Sequence, residues 1–190
     1  MWEQLLFYVQ LGLNHVLDVN GYDHVLFLVV LVVPFLFAQY KKVITLVTVF
    51  TVGHTLALIL SAYKIVQVNS GLVEFLIPVT IAFTALYSIV FVSKSLKNNN
   101  ITVFITLFFG LIHGLGFSSY FKMIIGRSSN KLVPLFEFSL GIELAQIVIV
   151  IAMLLLSTLF RSFFGVSKKI WVISISVLII GLVIPMLLSR

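Results

Sequence analysis

Long apolar runs separated by short polar breaks dominate this chain. Six runs approach the ~20 residues that a helix needs to cross a ~30 Å hydrocarbon core. They cover roughly 22–40, 43–63, 72–93, 101–121, 133–160 and 170–189. The breaks carry turn and charge signals: Tyr40-Lys41-Lys42, the tract around Asn69-Ser70-Gly71, Lys97-Asn98-Asn99-Asn100, Gly126-Arg127-Ser128-Ser129-Asn130, and Ser167-Lys168-Lys169. Residues 2–17 are apolar but short, and form either an interfacial helix or a thin seventh span. The expected fold is an all-α polytopic membrane protein. It is a bundle of six transmembrane helices plus that short N-terminal helix, forming one integral domain over 1–190.

Composition agrees with the pattern. The chain is 61% hydrophobic and 9% charged, where soluble domains carry about 25% charged residues. The opening MWEQLLFYVQ lacks both a basic n-region and a small-residue cleavage site, so no cleavable signal is expected. A net charge of +6 does not point to nucleic acid, because the cations are scattered through short breaks where they meet lipid headgroups. Cysteine is absent, which excludes disulfides, thiolate metal sites and cysteine nucleophiles. Let side A be the face holding residues 18–23. Tracing six crossings then puts Lys41, Lys42, Lys94, Lys97, Arg161, Lys168 and Lys169 on side B. Lys64, Lys122, Arg127, Lys131 and Arg190 fall on side A. Seven cations against five favour side B as cytoplasmic.

The ionisable groups are few and unevenly placed. The four histidines are His15, His24, His54 and His113; the six acids are Glu3, Asp18, Asp23, Glu74, Glu137 and Glu143. His24, His54, His113 and Glu143 fall inside four different expected spans, where an unpaired polar group costs several kcal/mol and marks a candidate site. At ~1.5 Å per residue, His24 lies about one turn below side A and His113 somewhat deeper. His54 and Glu143 lie near the midplane. Every acid and histidine past residue 10 is therefore in the side-A half or at the midplane, as a shared site requires. Helical spacing aligns Thr51, His54 and Thr55 on one face, and Ser139, Glu143 and Gln146 on another. Gly110 and Gly114 form a small-xxx-small pair that lets a neighbouring backbone approach. A short internal echo pairs Gly12-Leu13-x-His15-x-Leu17 with Gly110-Leu111-x-His113-x-Leu115.

Imidazole and carboxylate without thiolate suit Zn²⁺, Ni²⁺, Cu²⁺ or Fe²⁺. The expected ligands are His24, His54 and His113, with Glu143 as a fourth ligand or a supporting base. Asp23 is expected to orient an imidazole, and His15 to serve as an extra ligand or gate. Gln146, Ser139, Thr51, Thr55 and Glu74 are expected to support the site. Structural alternatives stand beside these. Asp23 suits the positive end of a helix dipole, as do Glu74 and Glu137 near helix starts. A buried histidine bonded to a nearby hydroxyl, such as His54 with Thr51, can simply join helices. The phenylalanines Phe35, Phe37, Phe104, Phe108 and Phe109 read as lipid-facing or packing residues.

The ordered segments GLNH–GYDHVLFL, FTVGHTLAL, VEFLIP, GLIHGLGF and FSLGIELAQ resemble the HupE/UreJ family of hydrogenase/urease accessory membrane proteins. The resemblance runs from about Gly12 to Gln146. It implies nickel supply as a proposed permease, with polar positions at His15, Asp23, His24, His54, Glu74, His113, Glu143 and Gln146. Three features depart from the family pattern: Ser139 replaces Asn, Ala145 replaces Gly, and the His15-to-Asp23 spacing is longer. Three functions follow as alternatives: a divalent-metal permease for Ni²⁺, an intramembrane hydrolase with a Zn²⁺-activated water and Glu143 or Glu137 as base, or a structural subunit. The hydroxyl-only side-B halves argue against a permanently open path. The expected partners are the lipid bilayer and a metal ion, with room for a second copy or another membrane protein. The expected location is a bacterial inner membrane, with the site on the non-cytoplasmic side.

Overall fold

The computed structural model describes residues 2–19, 21–93, 99–126 and 130–189, and every regular element among them is helical. Seven α-helices follow in order: α1 (Trp2–Leu17), α2 (Asp23–Val32), α3 (Tyr40–Ala62), α4 (Ser70–Val90), α5 (Asn99–Ile125), α6 (Leu132–Thr158) and α7 (Lys168–Leu188). Among the described residues, five helical stretches are long and apolar enough to cross a membrane: Phe37–Ala62, Ser70–Val90, Asn100–Ile125, Leu132–Phe163 and Lys168–Leu188. Residues 94–98 and 127–129, which carry parts of two expected breaks, lie outside the described residues. So do Met1, Asn20 and Arg190.

The expected span 22–40 is not one helix, so the count of six long spans becomes five. Helix α2 stops after ten residues, about 15 Å, or half the hydrocarbon core. Pro34 explains the stop, since it has no N–H and its ring disfavours helical backbone just before it. The chain then passes through a 3₁₀ turn, Phe37–Gln39, into α3. Irregular backbone at membrane depth persists only where protein satisfies it. Here Arg161 Nη1 donates to Pro34 O at 3.1 Å and to Phe35 O at 3.4 Å, while Phe37 N donates to Thr158 Oγ1 at 2.9 Å. Those partners stand at the C-terminal end of α6, which puts the break on side B. Along its length α2 buries His24, Leu26, Phe27, Leu28, Val30, Leu31 and Val32. A helix apolar all round belongs inside a bundle, and α2 packs against α4, α6, α1 and α7.

Two glycine crossings position the histidines. Helices α3 and α5 touch backbone to backbone at Gly53, Gly110 and Gly114; a Cβ at Gly114 would fall deep inside contact range of His54 O. Helices α1 and α6 do the same at Gly12 and Gly141, where a Cβ on Gly12 would strike Phe138 O. Both halves of the sequence echo thus behave alike: a glycine at a crossing, and a histidine one turn further on. Because the obstacle at Gly114 is backbone, Gly114→Ala is expected to lose about 1–3 kcal/mol by overpacking. Thermal unfolding in micelles, with Gly181→Ala as the open-space control, measures the difference; equal melting of the two variants would refute the crossing.

Candidate metal centre

Four helices each deliver one histidine to a single layer. His15 comes from the end of α1, His24 from the start of α2, His54 from α3 eight residues before its end, and His113 from the middle of α5. His24, His54 and His113 are buried to within 2% of complete. One ligand nitrogen from each of His15, His24 and His54 lies within 4.8 Å of the other two. The ring centroids are 4.6 Å apart for His15–His24, 5.6 Å for His15–His54 and 5.7 Å for His24–His54. His113 stands beside this trio, 5.2 Å from His24. The sequence reading grouped His113 with His24 and His54; the closest grouping in the structure has His15 in that place.

Hydrogen bonds fix which nitrogens are free. Asp23 Oδ1 sits 2.9 Å from His24 Nδ1 and also accepts from His24 N at 2.8 Å. Phe109 O sits 2.8 Å from His113 Nδ1. Carboxylate and carbonyl oxygens accept, so both Nδ1 atoms carry a hydrogen and it is Nε2 that is left for a ligand. Among the described residues no hydrogen-bond partner exists for His15 Nε2, His24 Nε2, His113 Nε2 or either ring nitrogen of His54. Five buried, unpartnered imidazole nitrogens are a costly arrangement for packing alone, since each unsatisfied group costs about 1–3 kcal/mol. They fit a metal ion. At the ~2.0–2.1 Å of a metal–imidazole bond, such nitrogens come to about 3 Å apart, reached from 4.8 Å by modest ring rotations.

A carboxylate on the remote nitrogen of a ligating histidine tunes affinity by about 10–100-fold. Asp23→Asn is therefore expected to weaken metal binding within that range while leaving the fold intact. Titration of the purified protein with Ni²⁺ or Zn²⁺ reads this, and unchanged affinity would remove Asp23 from the site.

Beneath the histidines lies a phenylalanine floor that the sequence reading missed. Phe27 follows His24 by three residues, while Phe50 and Phe109 precede His54 and His113 by four. Given the helix directions, each phenylalanine sits about one turn toward side B of its histidine, a signal available from i±3/4 spacing. Phe27 stacks on Phe50 at 4.8 Å and meets Phe109 at 6.1 Å. His113 packs on Phe50 at 5.1 Å and on Phe27 at 5.3 Å. Toward side A, His15, Asp18, Asn14 and Tyr120 border a hollow of about 680 Å³ that reaches the layer at His15. The exposed loop through Asp18 and Val19, between His15 and Asp23, forms part of this rim. Below the floor, toward side B, lies a narrow cavity of about 50 Å³.

The carboxylates go elsewhere. Glu143 accepts from Thr48 Oγ1 at 2.6 Å and from Thr51 Oγ1, in a groove between α3 and α6 of about 470 Å³. Thr51 also bonds Gln146 Oε1 at 3.0 Å, and Thr55 meets Ser139 at 2.6 Å. Thr51 thus serves Glu143 and Gln146, and His54 keeps both nitrogens free. Glu137 is buried with Gln4 Nε2 3.5 Å from its Oε2. Glu74 is exposed in the second turn of α4. Of the expected phenylalanines, Phe37, Phe104 and Phe108 are exposed, whereas Phe35 and Phe109 are buried.

Comparison with known proteins gives one match. The family model described as HupE / UreJ protein covers residues 1–189, essentially the whole chain. No curated protein and no solved structure matches the chain.

Proposed function

The chain belongs to the HupE/UreJ family, and from that premise we propose that it is a permease for a divalent transition metal, with nickel as the cargo. The observation that carries this is the set of unpartnered imidazole nitrogens, on four helices, with a side-A hollow reaching them at His15. Neutral imidazoles without thiolate suit Ni²⁺ among the late first-row ions. A hydrated cation reaches the layer past Asp18 and His15. It exchanges water for His15, His24 and His54, with His113 adjacent. Asp23 offsets part of the positive charge through His24. The phenylalanine floor then keeps the loaded site closed to side B until the helices rearrange, as alternating access requires. Integration in an inner membrane with side B cytoplasmic would load the site from outside.

One observation favours a second reading, an intramembrane metal-dependent hydrolase. The side-A hollow meets the layer at His15, whereas the side-B cavity stops at Phe27 and Phe109. A zinc-activated water would serve such chemistry. Against it, Glu143 is engaged by two threonines and Glu137 by Gln4, so neither is a free base over the histidines. Purified protein reconstituted in proteoliposomes separates the readings. The permease loads Ni²⁺ and moves it across the bilayer. Metal bound without movement favours the hydrolase, and no metal bound leaves a structural subunit.

A further inference from the structure

The narrow side-B cavity has a construction of its own. Its walls are apolar, with Leu31, Phe83, Phe91 and Ile105 among them, and its inner end is closed by Phe27 and Phe109. Three of the hydroxyls that line it are turned to backbone carbonyls. Thr84 donates to Thr80 O at 2.8 Å, Thr106 to Thr102 O at 2.8 Å, and Ser88 to Val30 O at 3.4 Å. The wall therefore offers those protons to helices rather than to a guest. At about 50 Å³ the free space has room for a few water-sized positions, enough for a short stretch of slender chain and too little for a hydrated ion.

The rim has the opposite character. Lys168 borders the cavity. Arg161 is tied to the carbonyls of Pro34 and Phe35, both lining residues, and lies within Coulombic reach of Lys168. Lys42 stands 5.4 Å over the Phe35 ring. Among the described residues no carboxylate answers these three cations: the five acids past residue 10 lie in the side-A half or near the midplane, and Glu3 adjoins Gln4, which meets Glu137 of that half. A departing metal cation would meet this rim as a barrier. An anionic amphiphile would meet complementary charge and an apolar slot.

We propose that this cavity binds one anionic phospholipid, with an acyl chain between α2, α4 and α5 and its phosphate on Lys168. The chain end then abuts Phe27 and Phe109, under the histidine layer. Cationic pockets between membrane helices select such headgroups, each lysine contributing about 1 kcal/mol near the surface, or roughly fivefold in affinity.

Native mass spectrometry of the detergent-purified full chain tests this with phosphatidylglycerol and phosphatidylcholine of identical acyl chains. Wild type is expected to retain one phosphatidylglycerol at least about fivefold more strongly than phosphatidylcholine. Lys168→Gln, on an exposed residue, should bring the two lipids near parity. Thr106→Phe, which fills the slot, should release both, with Ni²⁺ binding as its folding control. Equal retention of the two lipids by wild type would overturn the proposal, as would an undiminished preference in Lys168→Gln. It would also fall if Thr106→Phe kept its lipid but lost metal uptake, since the cavity would then be an ion path.

Discussion

Replacing His54 with leucine is expected to abolish tight metal binding while making the metal-free protein more stable. His54 is completely buried, and neither ring nitrogen has a partner. Each unsatisfied buried polar atom costs about 1–3 kcal/mol, and leucine fills a similar volume without polar atoms. The apoprotein should therefore gain stability on that order. Metal affinity should fall by more than the ~100-fold that loss of an outer partner can cost, because a ligand nitrogen itself is removed. Melting in micelles with chelator, followed by melting with added Ni²⁺, measures both terms. Wild type should gain stability from the metal by mass action and His54→Leu should not. A histidine that merely joined helices would give the opposite sign, with His54→Leu melting earlier in chelator.

Phe27→Ala is expected to have the largest effect on the closed state. The ring is fully buried, stacked on Phe50 and in contact with His113. Truncating a buried phenylalanine costs about 3–5 kcal/mol in soluble proteins. In a bilayer the same loss falls on close packing, which is the main force holding helices together there. The vacated volume joins the histidine layer to the side-B cavity. Metal should then leak from preloaded proteoliposomes in either direction, while Phe27→Leu holds it. If Phe27→Ala melts with wild type and stays tight, the floor is not the barrier.

Much of this organisation is legible in the residues. The apolar runs give the helices, and Pro34 marks where the first run breaks, although run length alone reads 22–40 as one span. The concentration of acids and histidines toward side A follows from counting along helices of known direction. Gly110 and Gly114 announce a close crossing through their spacing. Gly12 and Gly141 do not, because each stands alone on its helix and they meet only when α1 lies on α6. Glu143 shares a helix face with Ser139 and Gln146, but that face could turn toward the histidines or toward α3.

The chain by itself determined its solvent and most of its helices, because a bilayer fixes both through length and polarity. Helix rotation and tilt are set by packing between elements distant in sequence, so only the tertiary structure could decide which polar groups meet. It joined His15 to His24 and His54 through the Gly12–Gly141 crossing. It drew Glu143 to Thr48 and Thr51, and laid three phenylalanines from three helices under the histidines as one floor.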